Sequence, residues 1–262
     1  MLLAVDVGNT NIMVGLFEGE ELCHHWRVST RADRTADELS VLLRSLLEGQ
    51  NLSLEKVEAA VIANVVPDLT LALARFAEKY LKLEPLMVGP GVKTGMDIRY
   101  DEPREVGADR IVNGVAALHR YGAPVIVVDF GTATTFDVIS AQGSYMGGAI
   151  VPGVGISMEA LFAQAARLPE VDLIKPPSVI GRNTVHSMQA GFMFGFAGQV
   201  DALIRRIVAE MGRPRPRVIA TGGLSRIVAP ESEMVEVIDP FLTLEGLRLV
   251  HERNRGQRDS QS

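Results

Sequence analysis

The sequence predicts an α/β fold of two similar lobes, each led by a three-strand antiparallel meander with helices around it. Three observations predict it. Strand-like and helix-like segments follow a β-β-β-α-β-α-β order through the first half of the chain. An apolar run that ends on one acid and a glycine turn, "AVDVGNTN" at 4–11, is nearly repeated as "VVDFGTATT" at 127–135. The two acids, Asp6 and Asp129, lie 123 residues apart, each at the head of a meander. Short strand–turn–strand signals recur in any α/β protein, so duplication and coincidence both account for this feature on its own.

Each element has a local reason. Residues 2–6 read as a strand, Gly8 as a tight turn, and 11–17 and 22–29 as antiparallel partners joined through "EGEE". From Asp33 a helical pattern begins, with Leu39, Leu42, Leu43, Leu46 and Leu47 at 3.6-residue spacing. "VEAAVIANVV" is a buried strand by length and β-branching, Pro67 opens the helix "DLTLALARFAEKYL", and "PLMVG" is a further strand. A helix over 105–121 buries Ala108, Ile111, Val112, Val115 and Ala116 on one side. After the second Asp–Gly element come strands near 134–140 and 144–151 and helices near 154–167 and 184–211. "RVIATGG" and "MVEVID" are strands, and a last helix ends near His251. The expected domains are an N-terminal lobe (1–120), a C-terminal lobe (121–250) and a polar, disordered tail (251–262).

Bulk properties bound the function. A chain of 262 residues with 47% hydrophobic content buries a large core, as one big domain or two medium ones. A net charge of −6 argues against bulk attraction to nucleic acid or an anionic membrane. The single cysteine, Cys23, leaves no internal disulfide and fits a cytoplasmic location. Cys23, His24 and His25 alternate across a strand and find no further ligand at zinc-like spacing. The start of the chain lacks the basic flank of a signal peptide. The charge-free stretch 138–158 holds Gly143, Gly147, Gly148, Gly153, Gly155 and Pro152, which makes it strand and loop, not a membrane span.

The Asp–Gly turns point to phosphate chemistry. Glycine lets backbone N–H groups converge on an anion, and Asn and Thr add short neutral hydrogen bonds. A carboxylate cannot contact phosphate favourably, so it holds a cation or that cation's waters. Gly8 to Asn11 would cradle β/γ-phosphates while Asp6 anchors Mg²⁺, with Asp129, Gly131 and Thr132 doing related work. The commoner use of Asp-x-Gly is an Asx-turn at a hairpin. Two matched copies, with "TGG" at 221–223 after a third strand, favour the nucleotide reading. No P-loop occurs, "GPGVKTG" being a near miss, and no strand–G-x-G-x-x-G–helix fingerprint is present.

A second constellation is "YDEPREVGADRIVN", 100–113. Asp109 and Arg110 point about 100° apart on a helix and do not pair with each other. Asp109 could then serve a substrate hydroxyl and Arg110 a substrate carboxylate or phosphate. The alternative is an acid placed for the helix dipole and a solvated arginine. A third, "IGRNTVHSMQAGFMFGFAGQV" at 180–200, sets Phe192, Phe194 and Phe196 among Gly191, Gly195 and Gly198, for a core or a dimer interface.

"DVGNTN", "DFGTATT" and "TGG" resemble the phosphate-1, phosphate-2 and adenosine motifs of the superfamily of acetate and sugar kinases, chaperone ATPases and actin. More narrowly, "YDEPREVGADR", "GGAIVPGVGISMEAL", "IGRNT" and "FLTLEGL" resemble the type III pantothenate kinases, in order from residue 2 to about 250. The resemblance implies two actin-like (ribonuclease H-like) lobes with a nucleotide cleft between them. It implies ATP-dependent phosphorylation of pantothenate, the first step of coenzyme A synthesis, with Mg²⁺ and a monovalent cation, K⁺ or NH₄⁺. It also implies a homodimer whose substrate site is completed by the partner subunit. Asp6, Val7, Gly8, Asn9, Thr10, Asn11, Ile12, Met13 and Thr132 match the ATP-binding positions, with Mg²⁺ at Asp6 through water. Asp129 matches the K⁺ ligand. Tyr100, Gly107, Ala108, Asp109, Arg110 and Thr184 match the pantothenate-binding positions, Thr184 from the partner, and Asp109 matches the proton acceptor. A kinase of the same superfamily with another small hydroxylated substrate, or a non-catalytic regulatory protein on the same scaffold, are the other readings.

Overall fold

The computed structural model describes residues 1–258. The described chain divides into two compact units: Met1–Gly95 with Glu102–Ala116 and the stretch from Thr243 onward, and Met96–Asp101 with Ala117–Leu242.

In the first unit, β1 (Leu2–Val7), β2 (Asn11–Glu18), β3 (Glu21–Ser29), β4 (Ala59–Asn64) and β5 (Leu86–Met87) form a sheet in the order β3-β2-β1-β4-β5. β1 is antiparallel to β2 and parallel to β4, and β3 extends the meander. Side chains alternate across the sheet. Leu3, Val5, Val7, Ile12, Val14 and Ile62 enter one apolar cluster with Leu39, Leu43 and Leu47 of α1 (Ala36–Glu48) and Leu73 and Phe76 of α2 (Thr70–Phe76). On the other face Ala4 pairs with Gly15, and a Cβ on Gly15 would stand 2.9 Å from Leu244. Asp6, two residues after Ala4, belongs to that second face.

The helix start expected at Asp33 lies at Thr35. There the Thr35 hydroxyl accepts from Glu38 N (3.3 Å) and Thr35 N donates to the Glu38 carboxylate (2.8 Å), a reciprocal cap. The helix expected after Pro67 is a 3₁₀ turn (Pro67–Leu69), α2 and a π-turn (Ala77–Leu81), closed by Lys82 at φ 55°.

In the second unit, β6 (Val125–Phe130), β7 (Ala133–Ile139), β8 (Tyr145–Pro152), β9 (Arg217–Thr221) and β10 (Val237–Ile238) run in the order β10-β9-β6-β7-β8. β6–β7 and β7–β8 are antiparallel, and β6–β9 and β9–β10 are parallel. Strand for strand this repeats the first sheet, so the pseudo-repetition is a true duplication of topology. Ile126, Val128 and Phe130 face an apolar cluster with Met188, Phe192 and Ile204, which leaves Asp129 on the opposite face.

α3 (Ala108–Tyr121) precedes this sheet. α4 (Val154–Gln164), α5 (Thr184–Met211) and the short α6 (Ser225–Val228) cover it. α5 turns Phe192 inward, whereas added Cβ atoms on Gly191, Gly195 and Gly198 would meet nothing within 4 Å.

Two expectations are corrected at the C-terminus. The tail expected from 251 is helical through 258, within α7 (Leu242–Arg258). Its polar residues are satisfied by partners that composition does not reveal. Asn254 Nδ2 donates to Lys93 O (2.9 Å) and Val250 O (2.7 Å), and its Oδ1 accepts from Lys93 N (3.1 Å). Buried Arg248 pairs with Glu245 and Glu252, one helical turn to either side. Residues 259–262 lie outside the described residues. The cut between lobes at 120/121 is also replaced, because α7 returns to the first unit. A Cβ on Gly246 would collide with Val112 O of α3.

Candidate active site

The first unit presents the turn between β1 and β2. Gly8 N donates to Asn11 O at 3.0 Å, closing a three-residue link. The link is strapped from outside: the Thr30 hydroxyl donates to Gly8 O at 2.6 Å, and Thr30 N to Thr10 O at 2.9 Å. Asn9 and Thr10 are exposed, and Gly8 and Asn11 are half-buried. Of the expected ATP-binding positions, Val7 and Ile12 are buried in the apolar cluster and offer only backbone. Met13 is half-buried, with Arg27 Nε 3.4 Å from its sulfur. Sequence reasoning missed Thr30, which lies 22 residues from its partner Gly8 and carries no local signal.

The turn between β6 and β7 is shorter. Gly131 N donates to Ala133 O (3.1 Å), and two further loops close on it through backbone: Gly153 N to Thr132 O (3.1 Å) and Leu224 N to Phe130 O (3.3 Å). Gly153 and Gly222 leave no room for a Cβ. Gly222, at φ 89°, would bring one 2.6 Å from Phe130 N and against Asp129 Oδ1. The "TGG" glycine thus touches the Asp129 turn directly. Asp129 pairs in register with Thr135 of β7 and Thr221 of β9.

The third element is the start of α3. Gly107 O accepts from Ile111 N (3.2 Å), beginning the helix. Asp109 Oδ1 accepts from Arg110 N at 2.9 Å and lies so close above Gly107 that a Cβ there would collide with it. Asp109 does not bond the Arg110 guanidinium among these contacts, in keeping with side chains that diverge along a helix. Burial pushes the Asp109 carboxyl above the usual carboxylate range, against the opposing pull of Arg110. Arg110 is 8% exposed, so it is not the solvated helix arginine of the alternative reading. Ala108 is half-buried.

Tyr100 and Thr184 belong to the second unit. The Tyr100 ring lies over Gly147 and beside Tyr145, with ring centroids 6.5 Å apart. Thr184 is the exposed first residue of α5, behind Asn183, whose side chain caps the helix by accepting from His186 N at 2.8 Å.

Comparison with known proteins identifies the family. A family model described as type III pantothenate kinase matches residues 2–206. The type III pantothenate kinase of Moorella thermoacetica is 58% identical over 97% of this chain and 100% of its own length. That of Brevibacillus brevis is 54% identical over 97% and 100%. Among solved structures, a Campylobacter jejuni protein assigned to the Baf family of transcriptional activators superposes with TM-score 0.60 at 19% identity, over 97% of this chain and 99% of its own, a likeness of fold alone. The family model over residues 2–206 and the full-length similarity to these named relatives place the chain in the type III pantothenate kinase family.

Proposed function

We propose that this protein transfers the γ-phosphoryl group of ATP to the 4′-hydroxyl of pantothenate, forming 4′-phosphopantothenate at the start of coenzyme A synthesis. Full-length similarity to type III pantothenate kinases supports the activity. The observation that carries the assignment of roles is Asp109, held over Gly107 at a helix start with burial raising its carboxyl. Phosphoryl transfer asks a protein mainly for positioning and charge compensation. A carboxylate made more basic by burial is a better acceptor for the hydroxyl proton as the bond to phosphorus forms. Arg110 pairs with the pantothenate carboxylate, Tyr100 packs along the substrate, and Gly107 and Ala108 offer backbone. The Gly8–Asn11 link and Thr132 hold the phosphates.

The residues present fit the cations. Among the described residues, no group of three or more His, Cys, Asp or Glu could cage a metal. Mg²⁺ would therefore be held by the nucleotide's phosphates and, through water, by Asp6, as is usual for this ion. K⁺ or NH₄⁺ is assigned to Asp129, whose carboxylate lies so close to Gly222 that a Cβ there would collide with it. Bound cations offset phosphate charge that backbone N–H groups alone cannot.

The assembly is a homodimer in which Thr184 of the partner subunit completes the pantothenate site. The open glycine face of α5 supports this, as do exposed Val179, Ile180 and Val185 at its start. No helix among the described residues is long and apolar enough to cross a membrane, and we place the enzyme in the cytoplasm. The test is ADP release by purified protein with ATP, Mg²⁺ and pantothenate, first in K⁺ and then in Na⁺ alone. Activity restricted to pantothenate and dependent on K⁺ is expected; a rate indifferent to pantothenate would overturn the reading. Asp109→Asn should lower kcat by ~10²–10⁴ with little change in nucleotide binding.

A further inference from the structure

We propose that Tyr145 and Asp137 are positioning residues for the acceptor substrate, acting through the shelf that carries Tyr100. The inference rests on the reading of Tyr100 as a pantothenate contact. Both residues are fully buried, at 0% exposure, and both lie on the meander strands next to the Asp129 turn. The Tyr145 hydroxyl donates to Asp137 Oδ1 at 2.8 Å, while the Thr135 hydroxyl donates to Asp137 Oδ2 at 3.2 Å. A buried acid and phenol are poorly suited to a purely apolar packing role, because each needs hydrogen bonds to offset its desolvation. What such a pair supplies is a fixed ring orientation.

That orientation is read out by the segment 97–100. Tyr145 N donates to Asp97 O and Arg99 N donates to Tyr145 O, both at 2.8 Å, so Ile98 bridges Tyr145 as a short extra strand on the sheet edge. The Ser144 hydroxyl (3.1 Å) and Arg99 Nε (2.8 Å) fasten the Asp97 carboxylate from outside. The next residue is Tyr100. Its ring tilts 57° to that of Tyr145 and covers Gly147, where an added Cβ would stand 3.1 Å away. Gly147 holds φ 104°, a backbone conformation that favours glycine. The Tyr100 ring is thus located by backbone below, a buried ring at its side and an anchored strap behind it, while 36% of the residue stays exposed to meet a ligand.

Steady-state kinetics of the full chain test this, with pantothenate and ATP varied separately. Tyr145→Phe keeps the ring and removes the anchor. It should raise KM for pantothenate ~5–20-fold, with KM for ATP within about twofold. In a Tyr100→Ala background the same change should have no further effect on KM for pantothenate, since its route is gone. Equal rises in both KM values, or full additivity in the double variant, would overturn the inference. Should Tyr145→Phe fold poorly, Ser144→Ala removes only the hydroxyl that holds the exposed Asp97 carboxylate and should raise KM for pantothenate ~2–5-fold; an unchanged KM would count against the proposal. Tyr100→Ala alone separates the two failures. If it leaves KM for pantothenate unaltered, the reading of Tyr100 falls and this inference with it. If it raises KM while Tyr145→Phe does not, only the inference falls.

Discussion

The two acid-headed turns occupy the same place in two sheets of identical topology, yet they are built differently. The Asp6 turn uses three residues between strands, leaves Asn9 and Thr10 exposed, and is strapped by a side chain, Thr30. The Asp129 turn uses two residues, and backbone closes on it: Gly153 on Thr132, and Gly222 on Phe130 and the Asp129 carboxylate. The longer link exposes two polar residues, Asn9 and Thr10, to solvent. The shorter one is crowded by backbone, with no room for a Cβ at Gly153 or Gly222. Duplication preserved where the acids stand and let their surroundings diverge.

The largest expected effect tests the difference in enclosure. Gly222→Ala puts a Cβ into backbone at positive φ, which combines strain with overpacking. A loss of about 3 kcal/mol is expected, or roughly 6–12 °C in Tm for a chain of this size. Gly8→Ala meets only Asn11 O at 3.1 Å and has no positive φ. It should cost about 1 kcal/mol or less. Calorimetry of the two variants checks this, and equal losses would erase the contrast between an enclosed and an open turn.

Much of this contrast was invisible in the sequence, and the reason is distance along the chain. The acids were legible because each ends a strand read from its own periodicity, and α5 was legible in full because its capping residue and its length are local. Thr30 on Gly8, Gly153 on Thr132 and Gly222 on Asp129 are contacts across 21 to 93 positions that leave no local pattern. The same holds for α7. Its charged end reads as a solvated tail until Lys93 and Thr94 supply the partners of Asn254 and Arg253. Thr35 and Glu38 are the opposite case: a capping box written in the sequence, against which a start at Asp33 was the weaker choice.

Asp109 belongs to neither turn and sharpens the comparison at intermediate size. Burial raises its folded-state pKa above the unfolded value. The native state therefore binds the proton more tightly. The group's contribution to stability is full below the unfolded pKa and is lost as pH rises through the folded one. Once ionised, the buried carboxylate costs stability. Asp109→Asn should therefore raise Tm by ~1–3 °C at pH 7, with the gain shrinking toward pH 4, while activity falls. Thermal melts across that range check it. A variant less stable at pH 7 would mean that the hydrogen bond from Arg110 N outweighs the cost of burial.

The smallest expected effect isolates the side-chain strap. Thr30→Val removes the hydroxyl at 2.6 Å from Gly8 O and keeps the backbone bond from Thr30 N to Thr10 O. One neutral hydrogen bond is worth about 1 kcal/mol. If the strap orders the Gly8–Asn11 link for phosphate, that energy should appear as a roughly fivefold rise in KM for ATP. The Asp129 turn is held by other loops, so, on the proposal that Asp129 is the K⁺ ligand, the K⁺ concentration for half-maximal activation should not move. A variant that shifts the K⁺ response as much as KM for ATP would show that the two turns work as one unit, and that their different construction carries no division of labour.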